Sequence, residues 1–587
     1  ALTHLVPIEN SAMADRTIIQ WEKNDLEALG LLKIDVLALG MLSAVRKCLD
    51  LVSDYSDEPL TIQKIPAEDP AVYEMMCAAD TIGVFQIESR AQMSMLPRLK
   101  PRCYYDLVIQ IAIVRPGPIQ GEMVHPYLNR RSGREAISYP SEAVKSVLER
   151  TLGVPIFQEQ VMQLAMVAAG FSGGEADGLR RAMAAWKRKG GLEHYREKLV
   201  TGMLDRGYEP SFAEQLFNQI KGFGDYGFPE SHSASFALIA YVSSWLKCYH
   251  PAAFCCALLN SQPMGFYAPA QLIKDAQRHG VEVLPAEVNE SVVGCSLEAS
   301  DTVGASKAIE SPDSSEWRKR PRVQGAAQSQ RLRIGFNLVK GLSAQAAVAI
   351  VEARRGGAYV SIQDLVFRTG IDRRDLEALA AADALRGLAG DRHRAFWHAA
   401  GVITAQGYAV SHSRVGSLAH ADRPIADLFD DAASGDSDFG LGVMLPLASE
   451  SQNVAGDYAA TGFTLRRHPL ALLREHLDCF GANSSAQLGK LGNDQATKVA
   501  GLVTCRQRPM TASGVTFLTL EDEAGHMNVV VWPALGERLR PILRQAMLIG
   551  VVGRVQESEG VIHVIADNLV DLTSWLGELS LSSRDFT

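Results

Sequence analysis

Apolar and polar positions recur with different periods along the 587-residue chain, and the changes of period mark its parts. Leu31–Leu39 reads LLKIDVLAL, an apolar density that predicts a buried strand. Gly40 is expected to break it, and MLSAVRKCLDLV follows at helical spacing. Ser172-Gly173-Gly174-Glu175 reads as a helix cap and first turn, which Ala176–Met183 continues. The most apolar stretch is Ser233–Leu246, SASFALIAYVSSWL. It falls short of the roughly 18–20 residues of a membrane span, and Lys247 and His250 follow, so a buried core helix is expected. Residues 298–331, rich in Ser, Ala and charge, read as a flexible loop or linker. Helical pattern returns over 332–400. Another loop-like segment carries the acidic run DLFDDAASGDSD. Near the end come five strand-like runs: VAGLVTC, VTFLTLED, MNVVVWP, MLIGVVGRV and VIHVIADNLVDL. Gly514, Gly525 and Gly560 punctuate them as hairpin turns. No fixed-period repeat is visible.

Composition narrows the class. Apolar residues make up 47% and charged residues 21%, which suits a globular protein and excludes a mostly disordered chain, a collagen or a coiled coil. The length implies several domains. A net charge of -9 excludes a uniformly basic coat for nucleic acid, but not a local patch. Such a patch exists: Arg98–Lys198 holds 16 Lys+Arg against 10 Asp+Glu, densest at Arg180-Arg181 and Lys187-Arg188-Lys189. The nine cysteines form no CxxC, so reduced thiols, a cytoplasmic location and no structural zinc are expected. The chain opens on ALTHLVPIEN without a Met or a signal peptide, and is expected to begin inside a larger protein.

Lys33 and Asp35 are two apart, so in a strand they share a face. A buried carboxylate there needs a partner, either Lys33 itself or a metal ion. The surrounding PIENSAMADRTIIQWEKNDLEALGLLKIDVLALGML resembles the end of the palm domain in the alpha-subunit family of bacterial DNA polymerase III, closest to its error-prone branch. The resemblance implies that Asp35 is a catalytic magnesium ligand and that Lys33 lies near the incoming triphosphate. Two magnesium ions held by carboxylates stabilise the attacking and leaving oxygens of nucleotidyl transfer. The family's other two catalytic aspartates form an Asp-x-Asp pair upstream of this strand, and that region is missing here. Asp436-Ser437-Asp438 reads as a solvated loop, and Glu521-Asp522-Glu523 as a turn between strands. The chain alone is therefore expected to be inactive.

Four further segments resemble the fingers of the same family, in the same order: GVFQIESR (Gly83–Arg90), AIVRPGPIQGEMVHPYLNRR (Ala112–Arg131), GVPIFQEQVMQLAMVAAGFSGGEADGLRRAM (Gly153–Met183) and GFGDYGFPESHSASFALIAYVSSWLK (Gly222–Lys247). Arg115 and Gly117 lie in a rigid Pro-Gly-Pro turn, suited either to a bidentate contact with triphosphate oxygens or to a structural turn with a surface arginine. Arg180, Arg181, Lys187, Arg188 and Lys189 either line a phosphate channel or form a solvated basic face. Tyr226, Ser231 and His232 precede or begin an apolar helix. The resemblance places this loop over the nucleotide, with His232 at the sugar; the plainer reading is a helix cap with a surface histidine.

Ile334–Glu352 and Asp375–Leu385 resemble helix-hairpin-helix units, whose backbone N–H groups meet phosphates without reading bases. Lys340 and Gly341 mark the first as the better DNA contact. Asp383 stands where the family usually has Gly, so the second is expected to be structural. Five short strands at this spacing suggest an OB-fold barrel, with Arg506, Arg508, Phe517 and Trp532 as possible single-strand contacts, or a barrel whose aromatics are incidental. Leu428-Phe429 lacks the Gln of a clamp-binding peptide. The resemblance implies that such a chain reaches the sliding clamp indirectly, through accessory mutasome proteins. The resemblance implies a clamp-loader-binding domain after the barrel in a replicative subunit, and a chain without one is expected to belong to the error-prone branch.

The expectation is thus a multidomain α+β chain: the end of a polymerase palm (1–50), mostly helical fingers (51–297), a loop or linker (298–331), a helix-hairpin-helix region (332–420), an acidic linker and connecting segment (421–494), a C-terminal OB-fold β-barrel (495–576) and a tail (577–587). Its function would be that of the C-terminal portion of an error-prone DNA-directed DNA polymerase acting in damage-induced mutagenesis and translesion synthesis. Primer-template DNA, deoxynucleoside triphosphates and Mg2+ are the implied partners, with no membrane. The alternatives are a replicative alpha subunit or a non-catalytic DNA-binding fragment.

Overall fold

The structure is a computed structural model that describes residues 4–11, 17–19, 28–30, 37–56, 58–115, 123–189, 192–223, 229–263, 267–299, 330–401, 446–508, 514–558, 561–579. Lys33, Asp35, Gly117, Tyr226 and Asp436-Ser437-Asp438 lie outside the described residues. So do the side chains of Arg181, Lys187, Arg188 and Lys189, although their backbone is helical.

The first described elements are a small antiparallel pair, β1 (Ile8–Asn10) and β2 (Thr17–Ile19). The expected strand does not reach Leu39. Ala38 adopts a left-handed conformation (φ 73°), and α1 (Leu39–Tyr55) starts directly after it. Gly40 is therefore inside the first turn of a helix rather than a breaker. Leu37 and Leu39 are exposed, so their apolar character was not a sign of burial.

The helical body runs through α2 (Pro70–Cys77), α3 (Arg90–Leu99), α4 (Tyr104–Ile113), α5 (Val124–Arg131), α6 (Gln158–Ala169), α7 (Gly173–Lys189), α8 (Leu192–Leu204), α9 (Pro210–Phe223), α10 (Glu230–Tyr249), α11 (Pro251–Leu259) and α12 (Pro269–Arg278). Helix α10 is the run foreseen as a core helix. It packs on α4, which is buried from Asp106 to Ile113, and no described helix is long and apolar enough to cross a membrane. The cap read at Ser172 is reciprocal: Ser172 N–H and hydroxyl reach the Glu175 carboxylate while Glu175 N–H reaches the Ser172 hydroxyl.

A three-stranded sheet, β3 (Val283–Leu284), β5 (Gln330–Arg333) and β4 (Ser296–Ala299), closes this body. The segment expected to be loop over 298–331 thus begins and ends in paired strands. The hairpin units follow as α13 (Ala344–Ala353), α14 (Ile362–Thr369) and α15 (Arg373–Ala381). The segment 421–494 is more than a linker, because α16 (Glu450–Ala460) and three shorter helices fill residues 450–488. Their apolar residues pack against the outside of the barrel.

Five strands form a closed barrel in the order β10-β8-β7-β6-β9: β6 (Ala496–Gln507), β7 (Thr516–Glu521), β8 (His526–Val531), β9 (Leu548–Ser558) and β10 (Val561–Asp571). Alternation put Leu518, Leu520, Val529 and Val551 inside, where they are buried. Closure comes from parallel pairing of β10 with β8. Gly553 on β9 permits the close approach of β10 on its other side, since a Cβ there would lie 2.1 Å from the Ile565 carbonyl oxygen. Two short helices between β8 and β9 (Pro533–Arg538 and Arg540–Gln545) were not anticipated.

Candidate nucleotide and nucleic-acid interface

The fingers segments are joined along α10. The loop 81–88 is held from beneath by that helix: Ser243 Oγ accepts from Phe85 N–H at 3.3 Å, and Lys247 Nζ donates to the Ile82 carbonyl at 3.0 Å. Gly83 sits at φ 76°, where a side chain would also strike Leu258. Gln86 is at φ 63°, a conformation that costs a side-chain-bearing residue about 1–2 kcal/mol. Arg115, half-buried after α4, donates through Nη2 to Gln86 Oε1 at 3.0 Å and through Nε to the Ile111 carbonyl at 3.3 Å. Phe85 packs edge-on against Phe236 (5.1 Å between centroids), and Phe236 carries the His232 ring 4.1 Å away. Ser231 is exposed in the same first turn. Arg115 and His232 are thus linked through Gln86, Phe85 and Phe236, and Ser231 precedes His232 in the chain.

The electrostatics of this region are mixed. The α10 N-terminus takes a carboxylate from α6, with Glu230 N–H donating to Glu159 at 3.0 Å. Glu230 itself accepts from Tyr105, over whose ring Arg150 lies at 3.7 Å. Burial raises the Glu88 carboxyl to about 7, against the pull of the Gly83 N–H and Lys247. On α7, Arg180 pairs with Asp177 at 2.9 Å with 38% of its side chain exposed.

Among the described residues, Asp80, Asp275 and His279 form the group that could geometrically hold a metal ion. A cation already sits there. Lys247 Nζ lies 3.1 Å from Asp80 and 2.8 Å from Asp275. His279 Nε2 lies 3.1 Å from Asp80. These residues do not fit a magnesium pair, and nothing in the residue spacing pointed to the cluster.

The first hairpin has the expected tight turn, with Gly341 at φ 85° ahead of α13, which Ser343 caps. Lys340 differs from expectation: its ammonium caps the C-terminus of α16 through Tyr458 O (3.1 Å) and Ala459 O (3.3 Å), and its N–H bonds Ala460 O at 2.8 Å. Asp383 occupies the corresponding turn of the second hairpin at φ 57° and pairs with Arg466 at 2.8 Å. The residue that sequence alone missed is Arg466, 83 positions away.

In the barrel, Phe517 opposes Gln507 and Val530 on the outer face, and Trp532 is exposed where β8 ends. Arg506 instead opposes buried Leu518 and donates to the Ala546 carbonyl, so it closes the barrel end rather than standing beside Phe517. Arg508 is exposed, 3.3 Å from Glu537.

Helical fingers, paired hairpins and a closed OB barrel in this order define a polymerase-type nucleic-acid-binding chain. Residues 1–38 match the bacterial DNA polymerase III alpha NTPase domain and 41–207 the bacterial DNA polymerase III alpha subunit finger domain. Residues 280–395 match a helix-hairpin-helix motif and 497–572 an OB-fold nucleic acid binding domain. The chain belongs to the bacterial DNA polymerase III alpha-subunit family. It is similar along its whole length to proteins named error-prone DNA polymerase: 58% identical over 585 residues to that of Methylococcus capsulatus, 55% over 590 to that of Bordetella bronchiseptica and 54% over 585 to that of Pseudomonas savastanoi pv. phaseolicola. It covers 53%, 52% and 52% of those proteins, so it spans about half the length of the curated relatives it matches.

Proposed function

We propose that this chain is the fingers, hairpin and barrel portion of an error-prone DNA-directed DNA polymerase, which joins deoxynucleotides to a primer 3′-end during damage-induced translesion synthesis. The carrying observation is the set of contacts that runs from Arg115 to Gln86 and from the neighbouring Phe85 through Phe236 to His232, joining three segments far apart in sequence. Arg115 binds triphosphate oxygens with its planar fork. His232 and Ser231 meet the sugar, and His232 is steadied by the Phe236 ring. Gly117 and Tyr226 contribute to nucleotide binding. Arg180 and Arg181 neutralise phosphate, and Lys187, Arg188 and Lys189 follow the duplex backbone. Lys33 contributes positive charge to triphosphate binding.

Asp35 holds Mg2+ together with further carboxylates of the polymerase; that ion would supply charge stabilisation at the reacting phosphate. In the hairpin region Gly341 approaches the DNA backbone. Phe517, Trp532 and Arg508 offer stacking and charge to single-stranded template. The sliding clamp is engaged indirectly, through accessory proteins.

The test is selective ternary binding. With Mg2+ and a dideoxy-terminated primer-template, the full chain retains the primer-template more tightly with the complementary triphosphate than with the other three. Arg115→Ala weakens that triphosphate's binding about tenfold. Equal retention with all four nucleotides overturns the reading.

A further inference from the structure

We infer that Gln86 is a positioning residue for the incoming nucleotide: its side-chain amide oxygen fixes the plane of the Arg115 guanidinium for the triphosphate. The inference rests on the proposed role of Arg115.

Three observations converge on Gln86. Its backbone is left-handed at φ 63°, a conformation that favours Gly or Asn, yet the chain keeps a long amide there. That conformation turns the side chain toward Arg115, whose Nη2 meets Oε1 at 3.0 Å. The Nε of the same guanidinium meets the Ile111 carbonyl at 3.3 Å. Two acceptors on two nitrogens of a planar group define its plane, and plane matters for a bidentate phosphate contact. Both acceptors are uncharged oxygens, so these contacts orient the cation without neutralising it.

The loop is stiff enough to serve. Thr81 Oγ1 closes it on the Ile87 carbonyl at 2.8 Å. Ser243 and Lys247 tie it to α10, the helix that begins with Ser231 and His232. One helix therefore sets both the arm proposed for the triphosphate and the arm proposed for the sugar.

The experiment measures binding of the complementary deoxynucleoside triphosphate, and separately of its monophosphate, to the full chain on dideoxy-terminated primer-template with Mg2+. Gln86→Asn keeps a residue that tolerates the left-handed backbone but shortens the amide beyond reach. Gln86→Gly relaxes the backbone and removes the amide. Both are expected to weaken the triphosphate about tenfold, the loss of one hydrogen bond to a charged group, while monophosphate affinity and thermal midpoint stay unchanged. Wild-type triphosphate affinity in both variants, with Arg115→Ala weakened, overturns the inference and leaves the proposed function standing. Equal losses for both nucleotides, or a lowered midpoint, also overturn it, because the residue would then be a structural element of the loop. Wild-type affinity in Arg115→Ala would remove the proposed role of Arg115 and the inference with it.

Discussion

Lys247 carries its charge with 1% of its side chain exposed, between Asp80 and Asp275. Burial alone would lower its pKa, but the two carboxylates outweigh it and the net shift is upward. A lysine raised in the folded state contributes stability that is complete below its unfolded pKa and is lost only as alkali passes the folded one. The lysine's charge is therefore constant across neutral pH. Removing its centre leaves two buried carboxylates facing each other and His279. Lys247→Met is expected to destabilise the chain by about 3–5 kcal/mol in urea unfolding, and Asp275→Asn in the same background should recover part of that loss. No recovery would show that the lysine acts through packing alone. In the sequence Lys247 read as the polar end of an apolar run. Its partners lie 167 and 28 positions away, and no local pattern encodes such a pairing.

At the scale of elements, strand alternation and hairpin glycines were legible because each is a local rule. The barrel runs became β6 to β10, and Gly341 sits at the positive φ its turn needs. The foreseen end of the first strand failed because Leu37 and Leu39 are exposed, which apolar character cannot announce. The second hairpin lies between these cases. Asp383 was legible as a misplaced acid, but its guanidinium partner was not. Burial raises the Asp383 carboxyl, with Arg392 and Arg466 pulling it back down. The turn that would receive a phosphate thus receives an arginine from residues 464–467. Asp383→Gly removes the repelling charge and leaves Arg466 paired with Asp457. Affinity of the full chain for duplex DNA should rise a few-fold, and the slope of log affinity against log salt should steepen by about 1. A fall in affinity would mean that the docked Arg466 is itself needed for DNA contact.

At the scale of the whole molecule, barrel and fingers meet through charge. Glu521, at the end of β7, lies 2.6 Å from Lys274 on α12, 3.8 Å from His468 and 3.9 Å from His526. The sequence reading saw only an acidic turn at 521–523, since a fingers partner 247 positions away is invisible locally. Burial opposes the Glu521 charge, but Lys274 and the nearby histidines hold its carboxyl down to about 2. Burial pushes His468 to about 3, with Lys274 adding to it. It pushes His526 to about 4, with Glu521 pulling up and Arg278, Lys274 and Arg90 pulling down. With 29% of its side chain exposed, His526 is the weaker contributor; His468 is 11% exposed. Both histidines are depressed, so the unfolded chain binds more protons below pH about 6.5 and stability falls as acid is added. Glu521 adds to the fall only between about 4.5 and 2, once the unfolded carboxyl protonates. The junction therefore loosens from pH about 6.5 downward. His468 Nδ1 accepts the Leu470 N–H at 3.2 Å, a cap that Asn can also provide. His468→Asn should keep neutral-pH stability and flatten the slope of unfolding free energy between pH 6.5 and 4 by up to about 1.4 kcal/mol per pH unit, the value for one proton. An unchanged slope would move the acid sensitivity away from this interface. Lys274→Met should leave the buried Glu521 charge without its lysine and weaken the junction at neutral pH, while its acid dependence flattens because part of the downward shift of Glu521 and both histidines is removed, read by hydrogen exchange in α12 and β7.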